Sequence, residues 1–112
     1  MPVQFTEKWD QYGLMAELAL KLEGVSPQFG KTVLQKLVYI LQEVYRVPCG
    51  YDYILYNYGP YSEELADDLS FFASMDGVRV EWSRGLGYEI KKAGKTKHFR
   101  ERGEDFLNRY AS

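Results

Sequence analysis

Few residues of this 112-residue chain are singled out for chemistry by type and spacing: two Gly-Lys-Thr triplets, one histidine, one cysteine and a group of four carboxylates. Gly30-Lys31-Thr32 and Gly94-Lys95-Thr96 suggest phosphate cradles. A phosphate-binding loop needs a further glycine five positions before the triplet, because successive backbone amides must wrap the phosphates. Those positions hold Val25 and Glu89, so neither triplet is read as a nucleotide site. His98 and Cys49 are separated by much of the chain. A lone histidine among lysines reads as a surface residue, and a cysteine between Pro48 and Gly50 as a turn residue without a lowered pKa. Glu63, Glu64, Asp67 and Asp68 lack the loop spacing of a calcium site, and no His/Cys cluster exists to hold a transition metal. The expectation is a protein without catalytic residues, metal or cofactor.

The elements that position these residues follow from periodicity. Thr6 is placed as an N-cap, and Trp9, Tyr12, Met15, Ala16, Ala19 and Leu22 then share one helical face that ends at Gly24. Leu34, Leu37, Val38, Leu41, Val44 and Tyr45 give the cleanest amphipathic pattern, a second helix that stops by Val47 because Pro48 disfavours helix before it. Leu65, Leu69 and Phe72, with Ala66 and Ala73, form the buried face of a third helix capped by Ser62 and ending near Met75. Val78, Val80 and Trp82 alternate, as do Tyr88 and Ile90, which predicts a hairpin across a loop at 83–87. Phe99, Phe106, Leu107 and Tyr110 predict one closing helix, weakened by about 1 kcal/mol at Gly103 relative to alanine. The fold class expected is α+β and mainly helical: one compact, winged-helix-like domain over 1–112 with about four helices, a short strand and a hairpin.

Tyr51 to Ser62 carries the most information. It holds five of the ten tyrosines, so it reads as a packing and recognition element. Tyr51, Tyr53 and Leu55 fall on one side of a strand and Asp52, Ile54 and Tyr56 on the other; both sides are largely apolar, so a well-covered strand is expected. Gly59 then permits a turn closed to other residues and Pro60 fixes the next φ. The expected partner-binding residues are Tyr56, Tyr58, Gly59, Pro60 and Tyr61, since tyrosine offers large contact area at low entropic cost. Packing into the core is the competing role for Tyr53 and Tyr56.

Charge is split along the chain. From Arg84 to Arg102, seven basic residues stand against Glu89 and Glu101, a surplus of five that leaves minus seven on the rest of a chain whose net charge is −2. Such a tail can attract an anionic partner locally. A winged-helix DNA-binding regulator would use Arg84, Lys91, Lys92, Lys95, Lys97 and Arg100, because its recognition helix would carry Glu63, Glu64, Asp67 and Asp68 into the phosphates. No apolar run reaches the roughly 18 residues of a membrane span. The lone cysteine and the absence of a secretory signal point to a cytoplasmic, reducing setting.

Two stretches resemble a known family. Lys36-Leu-Val-Tyr-Ile-Leu-Gln42, followed by Tyr51-Asp-Tyr-Ile-Leu-Tyr-Asn-Tyr-Gly-Pro-Tyr-Ser-Glu-Glu-Leu-Ala-Asp-Asp-Leu69, is similar to the YwgA-like bacterial and archaeal proteins. More distantly it resembles the Panacea domain, the SocA-type antitoxin and adaptor family. The resemblance implies a mostly helical domain with a small sheet, no catalytic residues and, in the Panacea branch, a regulatory role through a protein partner.

Overall fold

The structure is a computed structural model that describes residues 8–23, 29–56, 59–85 and 87–110. Thr6, Gly24, Tyr58 and the Ser26-Pro27 connection lie outside the described residues. Helix α1 (Lys8–Leu22) and helix α2 (Lys31–Glu43) are followed by a two-stranded antiparallel ribbon, β1 (Ile54–Tyr56) with β2 (Gly59–Tyr61). Helix α3 (Glu63–Ser74) leads to a longer hairpin, β3 (Val78–Ser83) with β4 (Gly87–Lys92), and α4 (Thr96–Arg102) and α5 (Glu104–Tyr110) close the chain. The fold is α+β and mainly helical around one core. Three helices and then a hairpin occur in the order expected, with the β1–β2 ribbon between the second and third helix.

Aromatic side chains build much of the core. Tyr12 of α1 stacks on Phe72 of α3 at 5.1 Å between centroids, Phe72 meets Phe99 of α4 edge-on at 5.0 Å, and Trp9 lies over Phe99 at 5.8 Å. Such pairs add about 0.5–1.5 kcal/mol each beyond their area. Met15, Ala16 and Ala19 extend this face of α1, and Leu34 and Val38 bring α2 onto it. Leu65, Leu69 and Phe72 are buried on α3 as periodicity predicts. The β3–β4 hairpin is anchored by Val78 and Ile90, and its outer end leaves Trp82 and Tyr88 exposed.

Several expectations need correction. Val44 and Tyr45 are exposed, because α2 ends at Glu43 and the two residues lie beyond its packed face. The closing segment is two helices rather than one, broken at Gly103. Gly103 is there for contact: a Cβ on it would lie 2.9 Å from the Cα of Gly13, and one on Gly13 would lie 2.8 Å from the Cα of Gly103. Two glycine backbones thus let α1 and the α4–α5 joint touch, so alanine at 103 is destabilising where helix propensity alone makes it stabilising.

The second Gly-Lys-Thr triplet is a structural joint. Thr96 is buried; its Oγ1 donates to the Gly77 carbonyl at 2.6 Å and accepts from Ala93 N–H at 2.7 Å, tying α4 to the α3–β3 turn. In the first triplet Gly30 presses on the Tyr88 carbonyl, and the Lys31 ammonium sits 3.9 Å from the Tyr88 ring centre.

Candidate functional site: the clamped β1–β2 ribbon

The stretch from Tyr51 to Ser62 is held at both ends by two glutamines of α2. Gln42 Nε2 donates to the Tyr51 carbonyl at 2.7 Å while its Oε1 accepts the Tyr51 N–H at 2.9 Å. Gln35 repeats the pattern on Ser62, donating to its carbonyl at 2.9 Å and accepting its N–H at 2.8 Å. Each amide thus replaces a neighbouring strand, satisfying one residue's backbone donor and acceptor together. Positions 35 and 42 are one heptad apart, so the two carboxamides lie on one side of α2 and fix the span between the clamps.

Between them the chain turns outward. Gly59 has a φ of +121°, a region that side chains avoid, and Ser62 Oγ caps α3 by accepting the Leu65 N–H at 3.1 Å. Ile54, Leu55 and Tyr56 are 56%, 74% and 51% exposed, which overturns the expectation of a covered strand. Tyr51 is buried and Tyr53 half-buried, so burial ends where the ribbon begins. Among the proposed partner-binding residues, Tyr56 and Tyr61 come together with ring centres 5.6 Å apart, and Tyr61, Gly59 and Pro60 are half-buried. Pro60 and Tyr61 also border a recess of about 300 Å³ whose other walls include Thr32, Gln35, Asp67 and Ser70.

A second recess of about 480 Å³ is lined by Tyr39, Glu43, Tyr51, Asp52, Tyr53 and Leu55, with Gln42 among them. Tyr39 and Tyr53 meet edge-on at 5.1 Å. Burial, with the nearby Cys49 and Glu43, pushes the Tyr53 phenol up, so it stays protonated at neutral pH.

The acidic face of α3 is not uniformly outward. Asp68 is buried and accepts from the Tyr51 hydroxyl at 2.7 Å and from Lys8 Nζ at 2.7 and 3.0 Å. Burial opposes the Lys8 charge, yet the bonds and charges of Asp68 and then Glu64 outweigh it and hold its pKa above the ordinary value. Burial, and then the bond to Asp68, pushes the Tyr51 phenol up as well. Glu63 and Asp67 remain exposed.

Cys49 is buried and its thiol is pushed up to about 12 by desolvation, while His98 is on the surface. Among the described residues no group of three or more His, Cys, Asp or Glu side chains is placed to hold a metal ion, and no helix is long and apolar enough to cross a membrane.

The basic residues are dispersed. Lys91 pairs with Glu81 at 3.2 Å, and Arg100 is bonded between Glu17 and Glu104, each at 3.4 Å. Arg84, Lys92, Lys95 and Lys97 are exposed, and no ion pair holds them among the described residues. Comparison of the chain with protein-family models, curated proteins and solved structures finds no match. The likeness to the YwgA and Panacea families therefore stands on the quoted residues alone.

Sequence reasoning missed Gln35, Gln42 and the Asp68 cluster. The seven-residue spacing of the two glutamines beside the apolar face of α2 was the available signal.

Proposed function

We propose that this chain is a non-catalytic regulatory module that binds a protein partner through the β1–β2 ribbon, with Tyr56, Gly59, Pro60 and Tyr61 at its recognition corner. The observation that carries the reading is the exposure of all three β1 side chains, Ile54, Leu55 and Tyr56, on a ribbon whose ends are fixed by Gln42 and Gln35. A fixed apolar surface loses little conformational freedom when covered, which favours binding. The buried, fully protonated Cys49 thiol is unsuited to nucleophilic attack, which agrees with a role by contact. An antitoxin- or adaptor-like role is what the family resemblance adds.

The competing reading is a winged-helix regulator that holds DNA through β3–β4 and the residues after it. The exposed Arg84, Lys92, Lys95 and Lys97 favour it, whereas the ion pairs of Lys91 and Arg100 and the exposed Glu63, Glu64 and Asp67 on α3 weigh against it. Affinity capture from a native extract, with cross-links mapped onto the chain, separates the two. A protein cross-linked within 54–61 and lost with Tyr56→Ala/Tyr61→Ala is expected. An unchanged captured set would remove Tyr56 and Tyr61 from the site, and duplex DNA bound at low salt and released by Lys92→Ala/Lys95→Ala would replace the protein reading with the DNA one.

A further inference from the structure

The register of the ribbon decides which backbone groups of β1 are free. Its pairs are Ile54 with Tyr61, Leu55 with Pro60 and Tyr56 with Gly59. Antiparallel pairs alternate between those that exchange both hydrogen bonds and those that exchange none. Pro60 has no N–H, so Leu55 and Pro60 must be a non-exchanging pair, and the bonds run through Ile54–Tyr61 and Tyr56–Gly59. The Leu55 N–H and C=O therefore point away from β2, along an edge that no other strand pairs with among the described residues. The same register turns Pro60 toward the outer edge of β2, which has no donor there. One edge of the ribbon is blunted by proline; the other carries Ile54-Leu55-Tyr56 with no charge, proline or bulge to deter pairing.

The recess beside that open edge has a definite chemistry. Two acidic residues, Glu43 and Asp52, and three tyrosines, Tyr39, Tyr51 and Tyr53, line it, with Gln42 and Leu55 and no lysine or arginine. Neither carboxylate forms an ion pair among the described residues. Tyrosine faces and carboxylates together attract a cation carried on an apolar stem and repel an acid. Resting on the reading of the ribbon as the partner-binding surface, we infer that β1 accepts a third strand from the partner: an extended segment that pairs with the Leu55 backbone and places a lysine or arginine side chain in the recess lined by Tyr39, Tyr53, Glu43 and Asp52. Backbone pairing gives affinity without sequence preference, and the recess selects the basic residue.

The test uses a phage-displayed library of random linear peptides panned on the full chain. Enriched peptides are expected to carry lysine or arginine within an alternating apolar pattern. A synthetic peptide of that kind should lose about tenfold or more in affinity against Glu43→Gln/Asp52→Asn, and again when its central backbone amides are N-methylated. Leu55→Pro, at a position whose N–H is not used within the ribbon, should weaken binding while keeping the helical circular dichroism; if it unfolds the chain, the N-methylated peptide makes the same measurement. Enrichment of acidic or proline-rich sequences, no enrichment, or affinity unaffected by both charge removal and N-methylation would overturn strand addition. A natural partner still captured by Glu43→Gln/Asp52→Asn and by Leu55→Pro, but lost with Tyr56→Ala/Tyr61→Ala, would leave the partner-binding reading standing and remove only the third strand.

Discussion

The chain contains two antiparallel ribbons that are used in opposite ways. In β3–β4, Val78 and Ile90 are driven into the core, and the opposite face carries Arg79, Glu81, Glu89 and Lys91. Lys91 reaches Glu81 on the neighbouring strand at 3.2 Å, which offsets the like-charged pairs of the register, Arg79 with Lys91 and Glu81 with Glu89. Hydrophobic burial holds that hairpin. In β1–β2 the strands are three residues each, and β1 buries none of its side chains. Polar clamps from α2 hold this ribbon and leave the side chains of β1 exposed. A strand pattern in sequence therefore reports local geometry, while long-range contacts decide whether the pattern serves the core or a partner.

That contrast can be broken in graded steps. Ile90→Ala, which empties the buried end of β3–β4, is expected to cost about 2–5 kcal/mol in chemical denaturation. Gln35→Ala leaves the buried Ser62 N–H without its acceptor, while the Ser62 carbonyl keeps the Ala66 N–H at 3.1 Å, and is expected to cost about 1–3 kcal/mol, with faster amide exchange through β2. Leu55→Ser, on the exposed strand, should stay within about 0.5 kcal/mol of wild type. A large loss of stability from Leu55→Ser would place β1 in the core and erase the distinction between the ribbons.

Alkaline pH probes the clamped base of the ribbon. Cys49, Tyr51 and Tyr53 all have pKa values raised by burial, from ordinary values of 9.0 for the thiol and 10.0 for the phenols. The folded chain then keeps protons that the unfolded chain has lost, so stability is full below about pH 9 and declines as pH rises above it. Lys8 acts in the same direction, because its raised pKa reflects a folded-state partner. Thermal melting should show a Tm that is level from pH 6 to 8 and falls progressively above 9, with the first part of the fall reduced in Cys49→Ala. A Tm unchanged to pH 11 would mean that these groups titrate freely.

Much of the fold was legible from sequence, because helices α2 and α3 and the β3–β4 hairpin repeat their apolar residues at the period of the element: Leu34 and Val38, Leu65, Leu69 and Phe72, Val78 and Ile90. Less of the site was. Alternation at 51–56 identified a strand but not its covering, since nothing local says that Tyr51 is buried against Asp68 while Leu55 faces solvent. Lys8 and Asp68 meet across 60 positions of sequence, and no periodicity connects them. Gly103 was misjudged for the same reason, its role being set by Gly13 on a distant helix.

Amide hydrogen exchange at Leu55, measured with and without the partner captured by the wild-type chain, tests the role of the ribbon most directly. The free protein should exchange this amide quickly, because it points outward from the edge of β1, and the complex should protect it strongly while the amides of 84–97 are unchanged. Protection confined to 84–97, with Leu55 exchanging at its free rate, would move the binding surface to β3–β4 and contradict the assignment.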